Sequence, residues 1–355
     1  MKHILFSLFV LLLAASCTDK QAFKVTGSFA GDEFNGKTVY LIDFKQKQIG
    51  SATVENKQFE LKGSTADVST ICFIQYDKPH NSCVFFPEPG NIEMIFNATM
   101  EPSIKGTPLN DKYQIFMDNA TEMVDKNIKE IEEKKNTEQE YNDQWDQFLT
   151  EFRNKLYEFV KENIQNPVGE YMFLNNFQHL SSEHVVELVP LMNPKFRAME
   201  NVQRAEEIAL AETATGAGET YIDVKGKSLD GKEVALSDYA GKGKIVLVDF
   251  WASWCAPCIR TLPGLVSTYQ KYKNKGFEIV GISLDNDQQA WANGTAKHNI
   301  TWPQLSNLEG WTDPAAQAYG INSIPATLLL DGEGIIIGKN LNEAALEKKL
   351  SELLK

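Results

Sequence analysis

The sequence predicts a multidomain chain: an all-β N-terminal domain, a helical middle segment and a C-terminal α/β domain. Three observations predict it. Short β-branched and aromatic runs fill residues 18–106. Apolar residues recur at helical spacing within residues 107–212. From residue 220 onward, apolar strands alternate with amphipathic helices. The 355 residues are also too many for one core, which rarely grows past about 250–300 residues.

Residues 1–17 read MKHILFSLFVLLLAASC. Lys2 supplies the positive start, an apolar run follows, and small residues Ala14, Ala15 and Ser16 precede Cys17. The run is short for a bilayer span and reads as a secretory signal. It resembles a bacterial lipoprotein signal, although Ala14 stands where Leu is usual. The resemblance implies that Cys17 becomes the first mature residue and carries lipid; the plainer alternative is ordinary cleavage with Cys17 incidental. No later run is long and apolar enough to span a membrane. The expectation is a protein lipid-anchored to a membrane of the cell envelope and facing the periplasm, where disulfides persist. A net charge of -13 argues against nucleic acid as a partner, since phosphate binding needs concentrated Lys and Arg.

In residues 18–106, "KTVYLIDF", "KQFELKG", "STICFIQY", "SCVFFP" and "NIEMIF" are strand-like, with Gly27, Gly31, Gly36, Gly63 and "PEPGN" as punctuation. The segment resembles the small β-domain that precedes thioredoxin-like domains in envelope lipoproteins. If Lys78–Asn81 is a hairpin loop, Cys83 pairs with Tyr76. Cys72 and Cys83 then share a face about 13 Å apart, which favours two buried free thiols over a disulfide.

In residues 107–212, Tyr141, Trp145, Phe148, Leu149, Phe152, Leu156, Phe159 and Val160 mark one apolar helix face, which reads as core. Pro167 and Gly169 are read as its stop. The charged stretch Lys129–Glu140 is read as a solvated helix surface or hairpin connection. Residues 213–219, TATGAGE, are read as a linker.

In residues 220–355, Asp230-Gly231 signals a hairpin turn, and "KIVLVDFWA" is a buried central strand. A helix should start at the cysteine pair and reach about Lys275. "FEIVGISLD" is a second buried strand. Helices are expected near 287–298 and 313–320, a strand hairpin turns near 331–334, and an amphipathic helix ends the chain.

The chemistry concentrates in DFWASWCAPC, Asp249 to Cys258. A metal site needs about four ligands, and only Cys72 and Cys83 remain, in another predicted domain. Covalent haem needs His after the second Cys, where Ile259 stands. A structural disulfide is possible. A strand feeding Cys-x-x-Cys into a helix start points instead to a redox pair, because the helix N-terminus stabilises a thiolate, the species that attacks disulfides.

Residues 220–355 resemble the thioredoxin-fold, envelope thiol-disulfide oxidoreductases of the TlpA/ResA group, whose fold is of the AhpC/TSA type. Trp254-Cys255-Ala256-Pro257-Cys258 matches the W-C-x-P-C site, and Asp249 matches the buried acid of thioredoxin. Pro263 matches the proline that bends the active-site helix, and Tyr319–Gly334 matches the segment holding a cis proline, here Ile324-Pro325. The motifs cover under half of the chain. The resemblance implies that Cys255 is the exposed attacking sulfur, that Cys258 resolves, and that Asp249 moves the proton of Cys258. Trp254, Pro257, Ile324 and Pro325 are implied as the substrate-binding surface, with the Ile324 backbone pairing an extended substrate segment. For Asp249 the alternative is a satisfied buried acid; for Trp254 it is core packing. No cofactor beyond the redox-active Cys255–Cys258 disulfide, and no metal, is expected. The implied partners are disulfide-bearing envelope proteins and a transmembrane thiol electron donor, in a reductive task such as cytochrome c maturation.

Two rivals stay open. A peroxiredoxin-like peroxidase would need Thr three residues before the reactive Cys, where Ala252 stands. A binding lipoprotein with an accessory thioredoxin domain would leave the cysteine pair without activity.

Overall fold

The computed structural model describes residues 20–77, 81–99, 102–133 and 137–354. Cys17 and the signal reading lie outside them. The chain forms two compact units, one through Asn175 and one from Asn176. All-β, helical and α/β regions follow one another in the predicted order.

In the first unit, β1 (Ala22–Phe29), β2 (Thr38–Asp43), β3 (Gln48–Thr53), β4 (Gln58–Ser64), β5 (Cys72–Gln75), β6 (Ser82–Phe85), β7 (Gly90–Phe96) and β8 (Pro102–Lys105) form two four-stranded sheets. Their orders are β4-β1-β7-β8 and β3-β2-β5-β6. Alternating apolar residues explain the layering. Phe23, Val25 and Phe29 of β1 turn into one cluster with Leu41, Ile74 and Phe85 of the other sheet. Phe29 stacks on Phe34 at 4.4 Å and on Phe96 at 4.6 Å between centroids.

The register of β5 and β6 differs from the expected one. Cys83 lies opposite Ile74, not Tyr76, because Tyr76 N–H already pairs with the Asn81 carbonyl. Cys72 and Cys83 are thus diagonal neighbours, a spacing of about 7–8 Å between strands. Both are buried free thiols, and burial pushes each thiol up to about 12.

Helices α1 (Pro108–Glu133), α2 (Glu138–Asn163) and α3 (Pro167–Asn176) follow. Thr137 and Glu140 close a reciprocal cap at the start of α2. The aromatic face of α2 is only partly core. Leu156 and Val160 are fully buried, whereas Tyr141 and Leu149 are 43% and 47% exposed. Pro167 opens α3, where its missing N–H costs nothing. Gly169 is not a stop: it sits inside α3, and a Cβ there would meet the Asn163 carbonyl oxygen.

The second unit begins with α4 (Ser182–Leu188), α5 (Pro194–Arg197) and α6 (Glu200–Ala214). Helix α6 runs two residues into the TATGAGE stretch, and Gly218 N–H then bonds the Ile336 carbonyl at 2.8 Å. Next come the hairpin β9 (Lys225–Lys227) and β10 (Glu233–Ala235), then β11 (Ile245–Trp251), α7 (Ala256–Tyr272), β12 (Phe277–Ser283) and α8 (Gln288–Lys297). The unit ends with β13 (Gln304–Leu305), α9 (Pro314–Ala318), β14 (Ala326–Leu330), β15 (Ile336–Lys339) and α10 (Glu343–Leu353). The five-stranded sheet has the order β13-β12-β11-β14-β15. Strands β11, β12 and β13 are parallel, while β14 and β15 run antiparallel to their neighbours. All seven residues of β11 are buried, as expected of a central strand with both faces covered. Its C-terminal end delivers the chain to the cysteine pair.

Candidate active site

The loop between β11 and α7 is short and held at several points. Leu284 N–H bonds the Trp251 carbonyl at 2.8 Å, and Cys255 N–H bonds the Ala252 carbonyl at 3.1 Å. Asp285, 1% exposed, accepts from Ser253 N–H at 3.0 Å, from the Ser253 hydroxyl at 2.6 Å and from the Ser283 hydroxyl at 2.8 Å. The residues leading into the cysteine pair are therefore fixed from the end of β12.

Cys255 is the N-cap of α7, and its sulfur accepts from Cys258 N–H at 3.1 Å. Pro257 lies in the first turn. Cys255 and Cys258 form a disulfide with Cα atoms 5.3 Å apart. The attacking sulfur was expected to be exposed, yet Cys255 is 4% exposed against 1% for Cys258. The reason is the cover around it. The Ile324 carbonyl oxygen lies 3.7 Å from Cys255 Sγ, just before β14, which pairs Ala326 with Phe250 of β11. The Ile324-Pro325 bond is cis, and Pro325 is exposed. Trp254 is not core: it is 54% exposed and leans on Trp311, centroids 6.1 Å apart. Pro263 lies inside α7.

Asp249 sits mid-sheet on β11, opposite Gly281 of β12 and Thr327 of β14. It is 2% exposed, and among the described residues its Oδ2 has no hydrogen-bond partner. Burial in an uncompensated site pushes its carboxyl up to about 7.

The fold thus gathers Trp254, Cys255, Pro257, Cys258, Ile324 and Pro325 at one end of β11, with Asp249 on the strand that feeds them. Among the described residues no group of three or more His, Cys, Asp or Glu is placed to hold a metal. Sequence reasoning missed Asp285 and Trp311. The only sequence trace of Asp285 is a Ser-Leu-Asp at the end of a buried strand, and Trp311 has no local trace.

A disulfide capping a helix at the C-terminal end of a central parallel strand, faced by an X-Pro loop, defines a thioredoxin-fold thiol-disulfide oxidoreductase. Known proteins agree. The AhpC/TSA family matches residues 217–339, and Domain of unknown function (DUF4369) matches residues 23–113. The thiol-disulfide oxidoreductase ResA of Bacillus thuringiensis subsp. konkukian is 33% identical over 127 residues, covering 36% of this chain and 70% of that one. ResA of Geobacillus kaustophilus is 31% identical over 144 residues, covering 40% of this chain and 80% of that one. The chain belongs to the ResA family of thiol-disulfide oxidoreductases. Among solved structures, the thioredoxin domain of a thiol-disulfide oxidoreductase of Bacteroides vulgatus is 31% identical, with a TM-score of 0.37 over 39% of this chain and 99% of that one. One from Bacteroides fragilis is also 31% identical, with a TM-score of 0.37 over 38% and 100%.

Proposed function

We propose that the chain reduces disulfides of other cell-envelope proteins, cytochrome c apoproteins among them, while held to a membrane by lipid on Cys17 and facing the periplasm. One observation carries the catalytic part: Cys255 Sγ lies at the N-terminus of α7 and beside the Ile324 carbonyl, 3.7 Å away. That position offers both thiolate stabilisation and an adjacent backbone for an extended substrate.

In the reduced enzyme, the Cys255 thiolate attacks one sulfur of the substrate disulfide. A Cys255–substrate bond forms, the substrate S–S bond breaks, and the leaving thiolate takes a proton. Asp249 removes the proton of Cys258. The Cys258 thiolate then attacks Cys255 Sγ and releases the second substrate thiolate, which is protonated in turn. Two electrons have passed to the substrate, and the enzyme is left with the Cys255–Cys258 disulfide. A carboxyl near pH 7 suits that proton transfer. Trp254, Pro257, Ile324 and Pro325 receive the substrate. A transmembrane thiol carrier supplies two electrons to reset the pair. In this reading residues 220–355 are the catalytic domain.

The reduction potential of the Cys255/Cys258 couple tests the direction. A value of roughly -250 mV or lower fits a reductant; one near about -120 mV, the range of strong oxidants, overturns it.

A further inference from the structure

We infer that Trp311 is a substrate-selecting residue, forming with Trp254 a two-indole platform that binds apolar side chains flanking the cysteine of a substrate disulfide. The inference rests on the thiol-disulfide exchange reading above and extends it to substrate class.

Large apolar side chains normally lie inside, so two exposed indoles in contact beside a reactive sulfur call for a reason. Trp254 and Trp311 are 54% and 40% exposed, with ring centroids 6.1 Å apart. They come from positions 57 residues apart in sequence, and each stands on a fixed backbone. Trp254 follows Ser253, whose N–H and hydroxyl are both bonded to buried Asp285. Trp311 lies in a single 3-10 turn, Gly310–Thr312. Gly310 holds φ +57 there, and a Cβ on it would stand 2.4 Å from Asn286 Oδ1. The Trp311 carbonyl accepts from Gln317 Nε2 at 2.6 Å, and Asp313, fully buried, caps α9 just after it. Indoles carried on fixed backbones and set against each other have less freedom to lose when they bind, which suits an aromatic anchor.

Chemistry around the sulfur sets the occupant. Residues 254–257 are Trp, Cys, Ala and Pro, and the facing residues 324–325 are Ile and Pro. All are uncharged. A substrate cysteine delivered to Cys255 therefore has these uncharged residues and the two indoles closest to its neighbours. The class of substrate is an extended polypeptide with aromatic or branched aliphatic residues beside its cysteine.

The test uses the full chain, reduced beforehand, and two synthetic peptide disulfides. One peptide has Phe and Leu flanking its cysteine, the other has Ser on both sides. The wild type should show a higher kcat/KM for the Phe/Leu peptide. Trp311→Ala should lower the ratio of the two kcat/KM values about tenfold, mainly through KM, and Trp311→Phe should restore most of it. An unchanged ratio in Trp311→Ala, or no wild-type preference, overturns the inference. An equal loss on both peptides also overturns it, because it marks a merely structural residue. A wild type that reduces neither peptide refutes instead the exchange reading on which the inference stands.

Discussion

Cys258 N–H points at Cys255 Sγ across 3.1 Å, so the sulfur of Cys255 caps the helix that carries its partner. The same amide and the helix N-terminus will face the Cys255 thiolate when the pair is reduced. Both favour the charged form. The Cys255 thiol is expected to ionise below the ordinary range of a free cysteine. The pH dependence of alkylation, with the modified cysteine located by mass spectrometry, measures it. A value at or above the ordinary one would contradict the capping argument.

Asp249 makes stability depend on pH. Unfolded, its carboxyl loses its proton near pH 4; folded, it keeps it until about pH 7. The folded state binds more protons in that window, so stability falls as pH rises from about 4 to about 7 and is level above. The shift from 3.8 to about 7 corresponds to about 4 kcal/mol. Asp249→Asn removes this term. Urea unfolding of the oxidised proteins should find the variant more stable by about 2–4 kcal/mol at pH 8, with the gap closing toward pH 4. In the same variant, release of a mixed disulfide should lose its rise through pH 7 while the first attack is kept. A gap that does not vary with pH would show Asp249 to be ionised throughout.

Asp285 holds the loop before the cysteines through three donors. Asp285→Ala leaves the Ser253 amide and two hydroxyls without their acceptor. A loss of about 2–3 kcal/mol is expected, since buried donors left unpaired bear their full desolvation cost. Thermal or urea unfolding checks it, and a change under about 0.5 kcal/mol, the usual range for surface substitutions, would mean that water replaces the carboxylate.

Cys17→Ser should move the protein from the membrane fraction to the soluble one, because the anchor proposed for it is a single lipidated residue. Fractionation followed by immunodetection reads the result. Unchanged partition would remove lipid on Cys17 from the account.

The parts legible in the sequence were those written in adjacent residues. Trp254 to Cys258 is a contiguous motif, and the apolar run before it demands a buried strand, which put Asp249 inside the sheet. The parts that were not legible depend on which strands meet. Asp285 reaches Ser253 only because β12 lies beside β11, and Trp311 reaches Trp254 only through a turn fixed by Gly310. Periodicity alone gave α2 one uniform apolar face, but it does not say how far a neighbour covers it; Leu156 is buried and Tyr141 is not. The pairing of Cys83 failed by two residues for a related reason. Hairpin register follows the turn, and Tyr76 proved to belong to the turn's own closing pair with Asn81.

Trapping of mixed disulfides tests the central claim most directly, that Cys255 attacks and Cys258 resolves. Cys255 stands at the mouth of the helix beside the Ile324 carbonyl, and Cys258 lies one turn deeper at 1% exposure. A substrate bound to Cys255 is released quickly only by Cys258. Cys258→Ser should therefore accumulate covalent complexes with disulfide-bearing proteins, seen as high-mass bands that vanish on reduction, and Cys255→Ser should give few or none. More trapped protein in Cys255→Ser than in Cys258→Ser would reverse the roles and contradict the mechanism.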